Sequence, residues 1–545
     1  MRRIATLFML LFVAMGLSFQ ANAQRYLTEV FDEVSVEADV TYGVNATILT
    51  IATFGELVPE ELKMDIYTPV GDTETERPLA LVFHTGNFLP PVTNGQISGL
   101  RTDSSVVEIC TRLAKYGYTA AAVSYRLGWN PLAATQPERA LGLIQAAYRG
   151  VQDGRTAIRF FKDDVINGDN QYGIDTSAIA CIGTGTGGYI TLGMATLDDY
   201  VEIPTAENPP GKFLLDADGD GTPETPMVVP LYHGDIEGKN LTIAPDAAFG
   251  FPGGDTSNYV NYPGISSEYQ LSMNVGGALG DISWLDDNAP PMITVQSAFD
   301  FFAPYEDAVL IVPTTGDPIV QVQGGLVIAA EQDALGGNQV FIDANIDDDF
   351  TTTAIGNSVA NAGHPYYEAL YPYTRPVNGN GLDEGVIVEW WDPNAPAPGA
   401  GMGIPWNMLP HPSGGTFHEQ GLITNEGMSA EKARMNIDTI MGYYAPRAVA
   451  AMGLEVVSTK ELEEQMVALT LAPNPVGNEV LLTSAPDYPM QSVVLFDQNG
   501  QVLRTFNNLN NNYFFMSRGD LPNGMYIMQI GFEEGQSISK KLIFK

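Results

Sequence analysis

The sequence is short of basic residues and of histidine. Its 545 residues include 26 Lys and Arg against 65 Asp and Glu, for a formal net charge of −39. Such a chain is repelled by phosphate backbones and anionic lipid, which argues against nucleic acid or a membrane surface as partner. The acidic side chains are spread along the chain rather than gathered into one tail. They read as a solvated surface, one that also attracts divalent cations. Cysteine is nearly absent, at Cys110 and Cys181 only. Export permits a disulfide, but Cys181 falls in an apolar strand, so two buried free thiols are the favoured reading. Beyond the N-terminus no apolar run is long enough to span a bilayer, and no transmembrane segment is expected. With five histidines in all, candidates for a general base are few.

The first residues carry Arg2 and Arg3, an apolar stretch over 4–19, and Ala21-Asn22-Ala23 before Gln24. A charged start, a short apolar core and a small-x-small site predict a signal peptide over 1–23, removed on export.

From residue 24 the pattern alternates between two periods. Residues 47–52 and 62–69 alternate apolar and polar, as half-buried strands do. Residues 78–84 are continuously apolar, as in a strand buried on both faces of a parallel sheet. Residues 104–115 and 137–161 repeat at helical spacing, with a strand over 119–125 between them. Residues 179–182 form another apolar strand, then come Gly183-Thr184-Gly185-Thr186-Gly187-Gly188-Tyr189 and a helical run over 190–197. Strands alternating with helices predict an α/β fold with a mainly parallel central sheet. An insertion rich in Pro, Gly and Asp covers about 200–270, and 291–295 reads as one more buried strand. A helix is expected over 429–444, capped by Ser429 and stopped by Pro446. The domains expected are 24–455, a linker at 456–467 and a second unit at 468–545.

In order, these stretches contain Asp65-Ile66-Tyr67-x-Pro69, His84-x-Gly86-x-Phe88, Tyr125-Arg126-Leu127, Tyr172-Gly173-Ile174-Asp175 and the glycine cluster at 183–188. That series resembles the carboxylesterase and lipase branch of the α/β-hydrolase fold, well over about 60–200 and more loosely over 270–310. The resemblance makes the cluster a nucleophile elbow, a strand-to-helix turn written G-x-S-x-G. Its flanking glycines stand at Gly183, Gly187 and Gly188. The position of the nucleophile is Gly185, which has no side chain. The loop after residue 83 takes the place of the H-G-G-G segment, and implies an oxyanion hole from the backbone of Gly86, Asn87 and Thr186. Asp300 falls on the acid position without the His-Gly pair that precedes it in esterases. The base follows the acid in chain order, which leaves His364, His411 and His418, with His418 favoured and His364 second.

Within the insertion, Asp216, Asp218 and Asp220 alternate before Gly221, and Glu224 follows. Alternate oxygens can converge on a hard cation such as calcium. The last loop position of an EF-hand is Met227, so the expectation is a looser single-loop calcium site, with a solvated acidic turn as the alternative. No organic cofactor is expected.

From about 466 the composition changes to short alternating strands with turns every dozen residues, including Asn499-Gly500. This predicts a small all-β sandwich. It resembles the C-terminal sorting domain of the type IX secretion system of Bacteroidota, which implies the type IX machinery as partner and a secreted or cell-surface location.

Two functions remain open from sequence. One is a secreted ester hydrolase of the carboxylesterase type with unusual chemistry. The other is a hydrolase fold without catalysis, kept as a surface binding or structural module; for either, a small ester or glycan is the candidate ligand. Gly185 favours the second.

Overall fold

The computed structural model describes residues 24–300, 302–311, 316, 318–373, 387–400, 403–455, 467–486, 488–497, 502–532 and 537–545. The expected signal peptide, residues 456–466 of the linker and Asn499-Gly500 lie outside the described residues. Tyr26–Glu455 forms one compact unit and Val456–Lys545 belongs to a second.

Eight strands make the central sheet of the first unit: β1 (Val34–Thr47), β2 (Val58–Pro69), β3 (Arg77–Phe83), β4 (Thr119–Val123), β5 (Ile174–Thr184), β6 (Leu271–Val275), β7 (Met292–Ser297) and β8 (Leu370–Tyr373). Their spatial order is β1-β2-β4-β3-β5-β6-β7-β8. β2 is antiparallel to both its neighbours, and β4 through β8 are joined in parallel pairs. That order and pairing are those of the α/β-hydrolase fold.

The alternation of β3 and β5 explains why they lie in the middle. Leu79, Leu81 and Phe83 face one core with Ile179 and Cys181, while Ala80 and Val82 face the other with Ala180 and Ile182. Helices α1 (Ser104–Lys115) and α5 (Ala430–Met452) cover the second face; α2 (Gln136–Asn167) and α3 (Thr186–Thr196) cover the first. A further helix, α4 (Gly325–Leu335), follows β7 in the chain. Cys110, on α1, therefore belongs to one core and Cys181 to the other, and both are buried free thiols. The sheet between them excludes the disulfide.

Local caps match the sequence. Thr135 and Glu138 form a reciprocal capping box at the start of α2, with Pro137 in its first turn. The Ser429 side chain accepts from the Lys432 N–H at the start of α5.

Two expectations fail. Residues 47–52 do not continue as a strand: β1 ends at Thr47, and Ile51–Phe54 is one helical turn closed by Gly55 in the left-handed region. The apolar residues Ile48 and Ile51 turn onto a separate small cluster around Tyr232 and Phe251. Pro446 does not stop α5 either; the helix runs on to Met452. An internal proline costs about 3 kcal/mol. Here the turn beyond it carries Arg447, fully buried and ion-paired to Glu368 at 2.6 Å. Beyond the proline, Ala448 and Met452 are also buried in the second core, so tertiary packing holds the last turns helical.

The second unit has β9 (Thr470–Ala472), β10 (Glu479–Thr483), β11 (Met490–Phe496), β12 (Val502–Asn511), β13 (Tyr513–Ser517), β14 (Gly524–Gly531) and β15 (Ser537–Phe544). They form two sheets, β9-β10-β13 and β12-β11-β14-β15. Both contribute to one core that includes Val480, Leu482, Val493, Leu495, Met528 and Leu542.

Candidate active site at the strand-to-helix turn

β5 runs into the turn at Gly185, which has φ 52° and ψ −116°, and α3 starts at once with Thr186. The positive φ suits glycine. The turn is tight: a Cβ at Gly183 would lie 2.0 Å from the Gly187 carbonyl oxygen, and one at Gly187 would lie 2.2 Å from that of Phe83. The backbone of a nucleophile elbow is present, and the residue at its apex offers no nucleophile.

The loop after β3 faces this turn. His84 is buried, and its ring stacks on Tyr125 at 4.5 Å between centroids. Its Nδ1 is 2.6 Å from the Thr85 carbonyl oxygen. Burial lowers its pKa to about 4, so the imidazole is neutral and Nδ1–H donates to that carbonyl. The Tyr125 hydroxyl donates to the His84 carbonyl at 2.9 Å and lies 3.1 Å from the Thr186 hydroxyl. The indole N–H of Trp129 donates to the Asn87 carbonyl at 2.8 Å. Gly86, Asn87 and Phe88 all have positive φ. Asn tolerates that region better than most residues; Thr85, β-branched, is spared it. The loop is pinned from several sides although two of its expected glycines are replaced.

Thr85 fills the space that a side chain at Gly185 would need. A Cβ built on Gly185 would lie 2.0 Å from the Thr85 hydroxyl oxygen and 2.8 Å from its Cβ. Gly185 and Thr85 thus share one space between the turn and the facing loop.

Both face a cavity of about 180 Å³, together with Asn87, Thr186 and Asp300. The wall is largely apolar, with Leu143, Val151, Phe213, Trp284, Ile319 and Val322 among its residues. Asp300 lies on the loop after β7, where Oδ1 accepts from the N–H groups of Phe302 at 2.7 Å and Ala303 at 3.2 Å. Gly185, Asp300, Asn87 and Thr186 are thus brought together; Gly86 supports the loop from behind, where a Cβ on it would lie 2.6 Å from the Gly99 Cα.

The histidines are elsewhere. None of the five is among the residues that line the cavity. His418 lines a separate surface pocket with Trp390 and Trp391, and its Nδ1 accepts from the Trp391 indole at 3.1 Å. His364 Nε2 lies 2.8 Å from the Tyr305 hydroxyl. His411 Nε2 lies 3.1 Å from the Gly95 carbonyl. His233 is buried, lodged between Tyr148 and Phe251.

Sequence reasoning missed two residues at this site. Glu389 is buried on the cavity wall, where it accepts from the Ser105 hydroxyl at 2.7 Å. Burial, and then the charge of Asp103, raise its pKa to about 8. Asp103 is itself raised to about 6 by burial, although the N–H groups of Gly99 and Leu100 bond it. The available signal was a lone acid in an apolar, aromatic run, Ile387-Val388-Glu389-Trp390. Tyr189, on the first turn of α3, is the other. Its hydroxyl is buried and has no hydrogen-bond partner among the described residues.

The acidic loop of the insertion is closed by a two-residue ribbon that pairs Leu215 with Thr225. Ligand oxygens of Asp216, Asp218, Asp220 and Glu224 lie within 4.8 Å of one another, all on exposed residues. Asp216 accepts from the N–H groups of Gly219 and Gly221, both at 2.8 Å. This cluster could hold a metal ion.

Comparison with known proteins adds the following. No curated protein matches the sequence significantly. Among solved structures, the chain is similar to Thermogutta terrifontis esterase 2 phosphorylated by paraoxon, at 16% identity over 50% of this chain and 73% of that one, TM-score 0.27. It is also similar to a truncated carbohydrate esterase from gut microbiota, at 15% identity over 51% and 81%, TM-score 0.28. A third is a bifunctional GH43-CE protein of Bacteroides eggerthii, at 15% identity over 49% and 31%, TM-score 0.27. Residues 470–545 match the model of the secretion system C-terminal sorting domain. Among the described residues no helix is long and apolar enough to cross a membrane. The chain thus joins an α/β-hydrolase fold to a C-terminal sorting domain, which marks it for the type IX secretion machinery and for the cell surface or the extracellular space.

Proposed function

We propose that this protein, exported with removal of residues 1–23, is a hydrolase-fold binding module that holds a small organic ligand at the elbow cavity without hydrolysing it. One observation supports the reading above others: the Thr85 side chain fills the space that a side chain at Gly185 would need. Acyl transfer needs a nucleophile and a base in hydrogen-bond reach. Gly185 offers no nucleophile, and the cavity wall has no histidine. The test is turnover of nitrophenyl butyrate beside binding of the same ester, followed by tryptophan quenching, since Trp129 and Trp284 line the cavity. Binding without turnover is expected.

A second reading has one observation in its favour. The Thr186 hydroxyl lies at the cavity and is bonded to Tyr125, which makes it the nearest candidate nucleophile of a residual esterase. Turnover that Thr186→Ala abolishes would establish it and overturn the first.

The acidic loop we assign to calcium. Its donors are all carboxylate oxygens on a short loop turned by Gly219 and Gly221, both in the left-handed region. A hard cation with flexible coordination suits such a set.

A further inference from the structure

Two tryptophans adjacent in the chain, Trp390 and Trp391, line a surface pocket with Asp392 and His418. It is a different place from the elbow cavity. Glu389 lines the cavity and bonds Ser105, while the next residue, Trp390, and Ser104 line the surface pocket instead.

Both indoles are held before any ligand arrives. The Trp391 N–H donates to His418 Nδ1 at 3.1 Å, with the two rings edge to face at 6.1 Å between centroids. The far end of the same indole rests on Gly421, where a Cβ would come within 2.9 Å of Cζ2. His418 and Gly421 lie one turn apart on the helix Phe417–Thr424, whose start is fixed by the reciprocal capping box of Thr416 and Glu419. Trp390 lies under the Arg434 guanidinium, 5.3 Å from the ring centroid, and Arg434 Nε is 3.1 Å from a Glu108 carboxylate oxygen. Rings fixed in this way lose little freedom on binding.

The polar groups beside them are a donor and an acceptor. An indole N–H can only donate, so His418 Nδ1 accepts, and the neutral imidazole keeps its hydrogen on Nε2. Asp392 is exposed; its Oδ1 accepts from the Asn394 N–H at 2.8 Å, and Oδ2 is a second acceptor.

Each ligand class meets this set differently. An anion approaches the Asp392 carboxylate on a chain of net charge −39 and is repelled. A cation finds Trp390 already under Arg434, a like charge. A hydrocarbon covers the rings but strips water from Asp392 and His418 and gives no hydrogen bond in return. A neutral sugar ring lays its C–H face on an indole, donates one hydroxyl to Asp392 and accepts from His418 Nε2–H with another. Asp392, Gly427 and Ser429 are exposed at the rim, so its other hydroxyls stay in water.

We infer that this pocket is a saccharide site, which takes an uncharged sugar unit of an oligosaccharide or polysaccharide on the platform of Trp390 and Trp391. It stands apart from whatever the elbow cavity holds.

The experiment is calorimetric titration of the full-length mature protein with cellohexaose, xylohexaose and mannohexaose, beside hexagalacturonate as the anionic probe and choline as the cationic one. At least one neutral hexasaccharide should bind, and more tightly than hexagalacturonate or choline. Trp390→Ala and Trp391→Ala should each weaken it about ten-fold, equivalent to ~1.4 kcal/mol. Trp390→Phe and Trp391→Phe keep a ring in each place, so the fold should hold, and they should weaken binding less than alanine does. Ala147→Phe, on the wall of the elbow cavity, should leave saccharide binding unchanged. Binding of no neutral hexasaccharide overturns the inference and leaves the proposed function untouched. Saccharide binding that all four tryptophan variants preserve overturns it too, and loss in Ala147→Phe would move the sugar to the elbow cavity. Tighter binding of choline, lost in Asp392→Asn, overturns it in favour of a cation site.

Discussion

Thr85 and Gly185 are complementary: the hydroxyl of one stands 2.0 Å from where the Cβ of the other would be. A serine at the elbow and a glycine on the facing loop would satisfy the same space the other way round. Gly185→Ser alone should therefore destabilise the fold by about 1–3 kcal/mol through overpacking. The double variant Thr85→Gly with Gly185→Ser should recover most of that loss. Denaturant melts of the four proteins measure the coupling, and equal losses in the single and double variants would refute the complementarity. Ester turnover should stay at background in both, because the new serine still has no histidine to take its proton.

Glu389 should make stability depend on pH. Its folded pKa, about 8, is raised above the ordinary carboxylate value of 4.5, mainly by burial. The folded protein therefore holds a proton that the unfolded chain releases. This contribution is complete below about pH 4.5 and is lost as pH rises to about 8. Asp103, raised to about 6 from 3.8, acts in the same direction over a narrower range. Glu389→Gln, which keeps a hydrogen-bond acceptor for Ser105, should flatten the fall in melting temperature between pH 5 and 8. An unchanged slope would place the proton elsewhere.

The last turns of α5 should depend on Glu368. Glu368→Ala leaves the buried Arg447 guanidinium without its partner and should cost about 3–5 kcal/mol. Replacing Arg447 by Met in the same chain should recover part of this, since no buried charge then remains. Urea melts of the single and double variants decide the point.

Calcium should raise the melting temperature of the mature protein, and a chelator should reverse the rise. Asp218→Asn with Asp220→Asn should abolish the shift at the same calcium concentration. Magnesium, which demands a stricter octahedral shell, should give a smaller shift. An equal shift in the variant would place calcium at another site.

The architecture was legible because it rests on local rules. Alternating or continuous apolar strands, helices at 3.6 spacing and a capped end such as Ser429 all depend on residues close together in the chain. Gly183, Gly187 and Gly188 showed a tight strand-to-helix turn, since few other residues fit one. The short apolar stretch at 47–52 misled because a few residues cannot distinguish a strand from a turn that carries its apolar side chains to another cluster. Pro446 misled because the local penalty of a proline was weighed without the Arg447–Glu368 pair, whose members are distant in sequence.

What the sequence by itself determined was the order of the elements, the glycine-rich strand-to-helix turn around Gly185 and the sorting domain at the C-terminus. What only the tertiary structure decided was which side chains converge. Thr85 is an ordinary loop residue until the sheet places β3 beside β5. Glu389 is an ordinary acid until it is buried against Ser105. His418, favoured by chain order, stands with Trp391, and the buried Tyr189 hydroxyl has no hydrogen-bond partner among the described residues. Backbone preferences act between neighbours along the chain; the chemistry of a site depends on where separate loops cross in space, and no periodicity encodes that.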